Sequence, residues 1–142
     1  MTDVGGLAHR ERIPAIGKLR LSAEVLVAYA RARRALRRRN LPAAAAAMRG
    51  FSDRGNCPGD SAYGAGLRLG RVVTRVLGIL PRHPRCLTTS LVLTALLARR
   101  GVPATIVIGV CPDPFGAHAW VEYRGRPLLE PATAPFERLL EV

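Results

Sequence analysis

The hydrophobic period of this chain changes once between Pro81 and Tyr123, and that change limits the fold more than any other feature. Residues 86–100 are leucine-rich, preceded by Pro81 and Pro84 and followed by Gly101. Prolines ahead and a glycine behind are helix punctuation, so the segment reads as a helix opening at Cys86. Ala104 to Val110 then forms a β-branched run without helical spacing, a buried strand. Ala117 to Tyr123 reads as a second strand and Pro127 to Glu130 as a third. Pro135 to Leu140 reads as one last helical turn or two.

Upstream, the period is helical. Leu21, Val25, Ala28, Tyr29, Ala32 and Leu36 make one apolar stripe, with Ser22 and Glu24 as the start signal. Asn40 ends that helix, and Pro42 opens a short one through Met48. Residues 50–61 are turn-formers and read as a loop, and Leu67 to Leu80 are helical again. Residues 1–19 read as an irregular arm. Helices first and an antiparallel sheet after them make an α+β plan. The division expected is an arginine-rich helical region over 1–79 and a catalytic core over 80–142, within one domain.

The 142 residues, 49% hydrophobic and 23% charged, exclude global disorder. The net charge of +12 is lopsided: residues 1–85 hold 17 basic and 5 acidic side chains, residues 86–142 hold 5 of each. An acidic partner, nucleic acid or a plain arginine bias all fit that asymmetry. Three cysteines without a CxxC imply neither a disulfide framework nor a zinc site. No basic n-region precedes an apolar core, and no apolar run is long enough to span a bilayer, so a cytoplasmic protein without a membrane span is expected.

Cys86 follows Pro-Arg-His-Pro-Arg and opens its helix, where the positive end of the macrodipole favours an attacking thiolate. Position alone does not separate this from a small cysteine capping a core helix. His118 lies in the strand Gly116-Ala117-His118-Ala119-Trp120-Val121-Glu122. A thiol nucleophile needs an imidazole in reach, and that imidazole needs an orienting acceptor. Glu122 shares the face of His118 but lies roughly 13 Å along the strand. A three-residue loop, Tyr123-Arg124-Gly125, would pair His118 with Glu130 at ~5 Å between Cα atoms. A two-residue Arg124-Gly125 turn would instead set Glu130 opposite Ala119 and needs positive φ at Arg124, so the longer loop is expected. Asp113, between Pro112 and Pro114, is the weaker candidate acid.

Cys86-Leu87, Arg99-Arg100-Gly101-Val102-Pro103-Ala104, Ile108-Gly109-Val110, the His-Ala-Trp-Val-Glu block and Gly125-Arg126-Pro127-Leu128 together resemble one family. It is the transglutaminase-like cysteine peptidase that removes the leader in lasso-peptide biosynthesis. The resemblance covers about residues 80–142. It implies a Cys–His–acid triad of Cys86, His118 and Glu130, with glutamate where the family usually has aspartate. It also implies a precursor leader peptide as substrate, a separate RiPP recognition element protein as partner, and a cyclase that closes the macrolactam. No Walker-type motif occurs, and neither cofactor nor metal is expected.

Around this centre, Trp120 and His83 are candidate substrate contacts, each with a plain packing or solvated alternative. Arg33, Arg34, Arg37 and Arg38 form a candidate docking face for a partner. Cys57, Cys111 and His9 carry no catalytic expectation. Two rival readings stay open. One is another Cys–His–acid acyl-transfer enzyme, such as a transglutaminase or arylamine acetyltransferase. The other is an arginine-rich nucleic-acid binder, against which stand 5% aromatic content, a neutral second half and no reader motif.

Overall fold

The computed structural model describes residues 14–50, 59–129 and 136–142. Four helices precede four strands: α1 (Ala15–Arg38), α2 (Leu41–Arg49), α3 (Gly59–Gly78), α4 (Cys86–Ala98), β1 (Thr105–Pro112), β2 (Phe115–Tyr123), β3 (Arg126–Pro127) and β4 (Glu137–Glu141). The strands form one antiparallel sheet in the order β3-β2-β1-β4. The α+β plan expected from the period change is the plan observed.

α4 is the centre of the fold. Thr88 and every residue from Ser90 to Ala98 are buried, because α1, α2 and α3 pack on it from one side and the sheet from the other. A helix that is apolar all round can be satisfied only in such a position. Leu91, Leu93, Leu96 and Leu97 supply much of its core surface, each stabilising by about 1.5–3 kcal/mol. The helix closes where Val102 N–H reaches back to Leu97 O while Gly101 takes φ 71°.

α1 buries Val25, Ala28 and Ala32 of its predicted stripe and leaves its arginines outside. It starts at Ala15 rather than Leu21, with extended Pro14 ahead of it, so Ser22 lies inside the helix and is not its cap. Asn40 belongs to α2: its Oδ1 accepts from Ala43 N–H at 3.1 Å, and Pro42 sits in the first turn.

α3 begins at Gly59, eight residues ahead of the predicted start at Leu67. Two glycines of this helix are packing residues. A Cβ on Gly66 would stand 2.8 Å from the Leu128 side chain, and one on Gly70 would stand 3.0 Å from Leu128 O. Small residues on α3 therefore let the segment after β3 lie directly against the helix. Tyr63 Oη donates to Pro127 O at 3.0 Å, and the Arg126 guanidinium stacks 3.8 Å from the Tyr63 ring centroid, tying β3 to the same helix.

Two expectations are corrected. The last segment is not helical: Glu137–Glu141 is a strand on the outer edge of β1, and Ile106 and Val142 exchange both backbone hydrogen bonds at 2.8 Å. Tertiary pairing decides this short segment, which is too brief for a helix to stabilise itself. The β2–β3 turn has two residues, not three. Arg124 and Gly125 both take positive φ, 51° and 74°, and Tyr123 pairs with Arg126. Such a turn matches strand twist, and the Arg124 guanidinium lies 5.3 Å from the Tyr123 ring centroid, offsetting part of the left-handed strain.

Candidate active site

Cys86 sits at the first position of α4, half-buried, where prolines before it have forced the chain into the helix abruptly. The thiol opens into a cleft of about 730 Å³. Its lining comes from α3 (Leu67, Gly70, Arg71, Thr74, Arg75), α4 (Cys86, Thr89), β2 (His118, Ala119) and the segment after β3 (Leu128, Leu129). The cleft thus gathers Cys86 and His118, separated by 32 residues of sequence, into one concave surface. No hydrogen bond joins them among the described residues, a looseness common in unliganded sites.

The sheet explains how His118 reaches the cleft. On β2, Val121 and Tyr123 join the helix-packed core, so His118, Trp120 and Glu122 occupy the opposite face by alternation. β3 pairs only with Glu122 and Tyr123, extended by Leu128 N–H donating to Val121 O at 2.8 Å. At His118 and Ala119 no described strand covers that side of β2, and both residues border the cleft.

The imidazole is held by aromatic rings. Trp120 stacks on it with centroids 6.1 Å apart, and Phe136 lies 5.6 Å away on a tilted plane. Partial burial pushes the His118 pKa below its ordinary value, which favours the neutral imidazole. A neutral imidazole is the form that can accept a thiol proton.

Behind the histidine lies a polar anchor. Trp120 Nε1 donates to Glu122 Oε1 at 2.8 Å, and Arg138 of β4 donates to the other carboxylate oxygen. Arg138 also bonds Glu141 at 2.6 Å. Burial alone would raise the Glu122 pKa, but the hydrogen bonds from Arg138 and Trp120 and the Arg138 charge outweigh it, and the net shift is downward. Glu122 is therefore committed to Trp120 and Arg138 rather than to His118.

The structure distributes the remaining candidates as follows. Trp120 is buried and touches His118 instead of lining the cleft. His83 is exposed on the segment before α4. Asp113 is exposed at the tip of the β1–β2 hairpin, where Cys111 Sγ donates to its backbone oxygen at 3.7 Å. Glu130, Cys57 and His9 lie outside the described residues. The two-residue turn removes the register argument that set Glu130 opposite His118. Arg33, Arg34, Arg37 and Arg38 are exposed on α1; Arg34 and Arg38 border a groove of about 400 Å³ between α1 and α2. Sequence reasoning passed over Gly109, Phe136, Arg71 and Arg75. The i, i+4 spacing of the two arginines on an apolar helix was the available signal.

A helix opening on a thiol, laid across an antiparallel sheet that presents a histidine, is a family architecture as well as a site. Residues 15–141 match the transglutaminase-like superfamily. The chain belongs to that superfamily. Comparison with curated proteins and with solved structures gives no match. The match takes in α1, α2 and α3 as well as the α4–sheet core, and it places the protein in a family of cysteine-based acyl-transfer enzymes and peptidases. Among the described residues no group of three His, Cys, Asp or Glu side chains could hold a metal ion, and no helix is long and apolar enough to cross a membrane.

Proposed function

We propose that this transglutaminase-like protein is a cysteine peptidase that cleaves the leader from a lasso-peptide precursor before the macrolactam is closed. The observation that carries the proposal is the shared cleft of Cys86 and His118, at the helix start and strand positions where the resemblance puts nucleophile and base. The Cys86 sulfur attacks the carbonyl carbon at the leader–core junction while His118 takes the thiol proton. The C–N bond then breaks, and the imidazolium gives its proton to the departing amine of the core. Water, deprotonated by His118, hydrolyses the thioester, releasing the leader carboxylate and restoring the thiol. The Cys86 backbone N–H, at the open end of α4, serves as one donor to the oxyanion.

Glu130 is the proposed orienting acid, on the family pattern. A separate recognition protein delivers the leader, raising the local concentration of the cleavage site without new contacts at the thiol. Arg33, Arg34, Arg37 and Arg38 are its proposed docking face, and the cyclase is the next enzyme to receive the core.

The test is mass spectrometry on the precursor from the same gene cluster, incubated with the chain and the recognition protein. Cleavage to leader acid and free-amine core is expected, abolished by Cys86→Ala and strongly reduced by Glu130→Ala but less by Glu130→Asp. Transfer of the leader acyl group to an added amine in place of water would mark a transferase and overturn the peptidase reading. So would full cleavage by the Cys86→Ala variant.

A further inference from the structure

The cleft contains a charge that the proposed chemistry does not use. Arg71 and Arg75 of α3 both line it, one helical turn or ~6 Å apart along the axis. Both are exposed, and neither has an ion pair or hydrogen bond among the described residues. No aspartate or glutamate lines the cleft among those residues either. Arg100 pairs with Glu24 at 3.0 Å, Arg126 with Asp60 at 3.7 Å, and Arg138 with Glu122 and Glu141, whereas the cleft offers Arg71 and Arg75 no such partner among the described residues. Like charges at i, i+4 destabilise a helix slightly, so the pair on α3 carries a small repulsion that no described acid relieves, in the space a substrate must enter.

Leu67, Leu128 and Leu129 give the same cleft an apolar lining. An extended peptide laid over Cys86 would meet apolar contact from these side chains and a double cationic contact from α3. Two guanidinium forks on adjacent turns suit a planar carboxylate, which accepts bidentate hydrogen bonds. We infer that Arg71 and Arg75 bind a carboxylate of the acyl-donor peptide seated in the cleft and so determine specificity for an acidic group near the scissile bond. The inference rests on Cys86 as the nucleophile of this cleft, but not on hydrolysis as the outcome.

Peptide affinity labels separate those two claims. Iodoacetyl-Gly-Glu-Ala-amide, iodoacetyl-Gly-Gln-Ala-amide and iodoacetyl-Gly-Gln-Ala with a free C-terminus place the carboxylate on a side chain, nowhere, or at the terminus. The rate of alkylation at Cys86 is followed by peptide mass mapping, which distinguishes Cys57 and Cys111. At least one carboxylate probe should label Cys86 about threefold faster than the neutral probe, the size expected of an exposed charge pair. Which one does so identifies a side-chain or a terminal carboxylate as the feature read. In Arg71→Gln/Arg75→Gln that ratio should fall to one or below, while Arg68→Gln, the loss of one charge on α3 outside the cleft, should keep it. Equal ratios in the native protein and the double variant, or the same fall in Arg68→Gln, would overturn the role of the arginines. Labelling that never falls on Cys86 would overturn the nucleophile assignment along with it.

Discussion

Gly109 on β1 lies directly across from His118 on β2, and a Cβ at Gly109 would stand 2.9 Å from the Trp120 indole and 2.8 Å from Phe136 Cβ. The missing side chain is what lets both rings close on the imidazole. Gly109→Ala should therefore destabilise the fold by about 1–3 kcal/mol through overpacking, and should lower the cleavage rate further by displacing His118. Urea denaturation and turnover of the variant check this. Adding Trp120→Phe, which removes the outer indole ring, should recover part of the stability, a coupling that independent sites would not show.

The His118 environment sets a pH expectation. Burial lowers its pKa, so between the unfolded and folded values the unfolded chain holds a proton that the folded chain lacks. Stability should fall as pH drops through that window and level off below it. NMR titration of the imidazole in Cys86→Ala, where the thiol no longer couples to it, should give a value under the ordinary 6.5 or so. A midpoint above that value would show that an acid, not burial, dominates the site.

The β2–β3 turn gives a purely structural prediction. Gly125 has φ 74° and open space around an added Cβ. Gly125→Ala should cost about 1–2 kcal/mol from left-handed backbone strain alone, with no steric clash. Thermal melts with Gly125→Ala and Arg124→Asn separate strain from contacts: asparagine tolerates the left-handed region and should leave Tm nearly unchanged. A longer loop that absorbs Gly125→Ala without loss would show that the turn is not a tight one.

The places of Cys86 at a helix start and of His118 on a strand were legible because each follows a local pattern: prolines then a leucine run for one, a strand block for the other. The period change from α4 to β1 was legible for the same reason. The misses all depend on distant chain. The first turns of α3 from Gly59 hold several glycines, and Gly66 shows its purpose only when Leu128 is seen lying against it. Glu137–Glu141 has no local reason to be a strand until β1 offers its edge. Arg124 has a steric preference against positive φ, and the paired strands override it. The acid behind His118 depended on that turn, so register reasoning failed there while the thiol and imidazole assignments did not depend on it.

Glu122 is the last test, because it acts on His118 through Trp120. Trp120 is the sole tryptophan of the chain, so its fluorescence reports this anchor directly. Glu122→Gln keeps an oxygen for the indole N–H but loses the charge that faces Arg138. It should cost about 1–3 kcal/mol near neutral pH, shift the Trp120 emission, and slow turnover. The Glu122 pKa is depressed in the fold, so its contribution is present above the unfolded carboxylate value and disappears as pH falls through the lower, folded one. The stability gap between native protein and Glu122→Gln should therefore close in acid, and the emission change of the native protein should come below the usual glutamate value of about 4.3. A gap that stays constant down to low pH would mean that Glu122 contributes by packing and not by its charge.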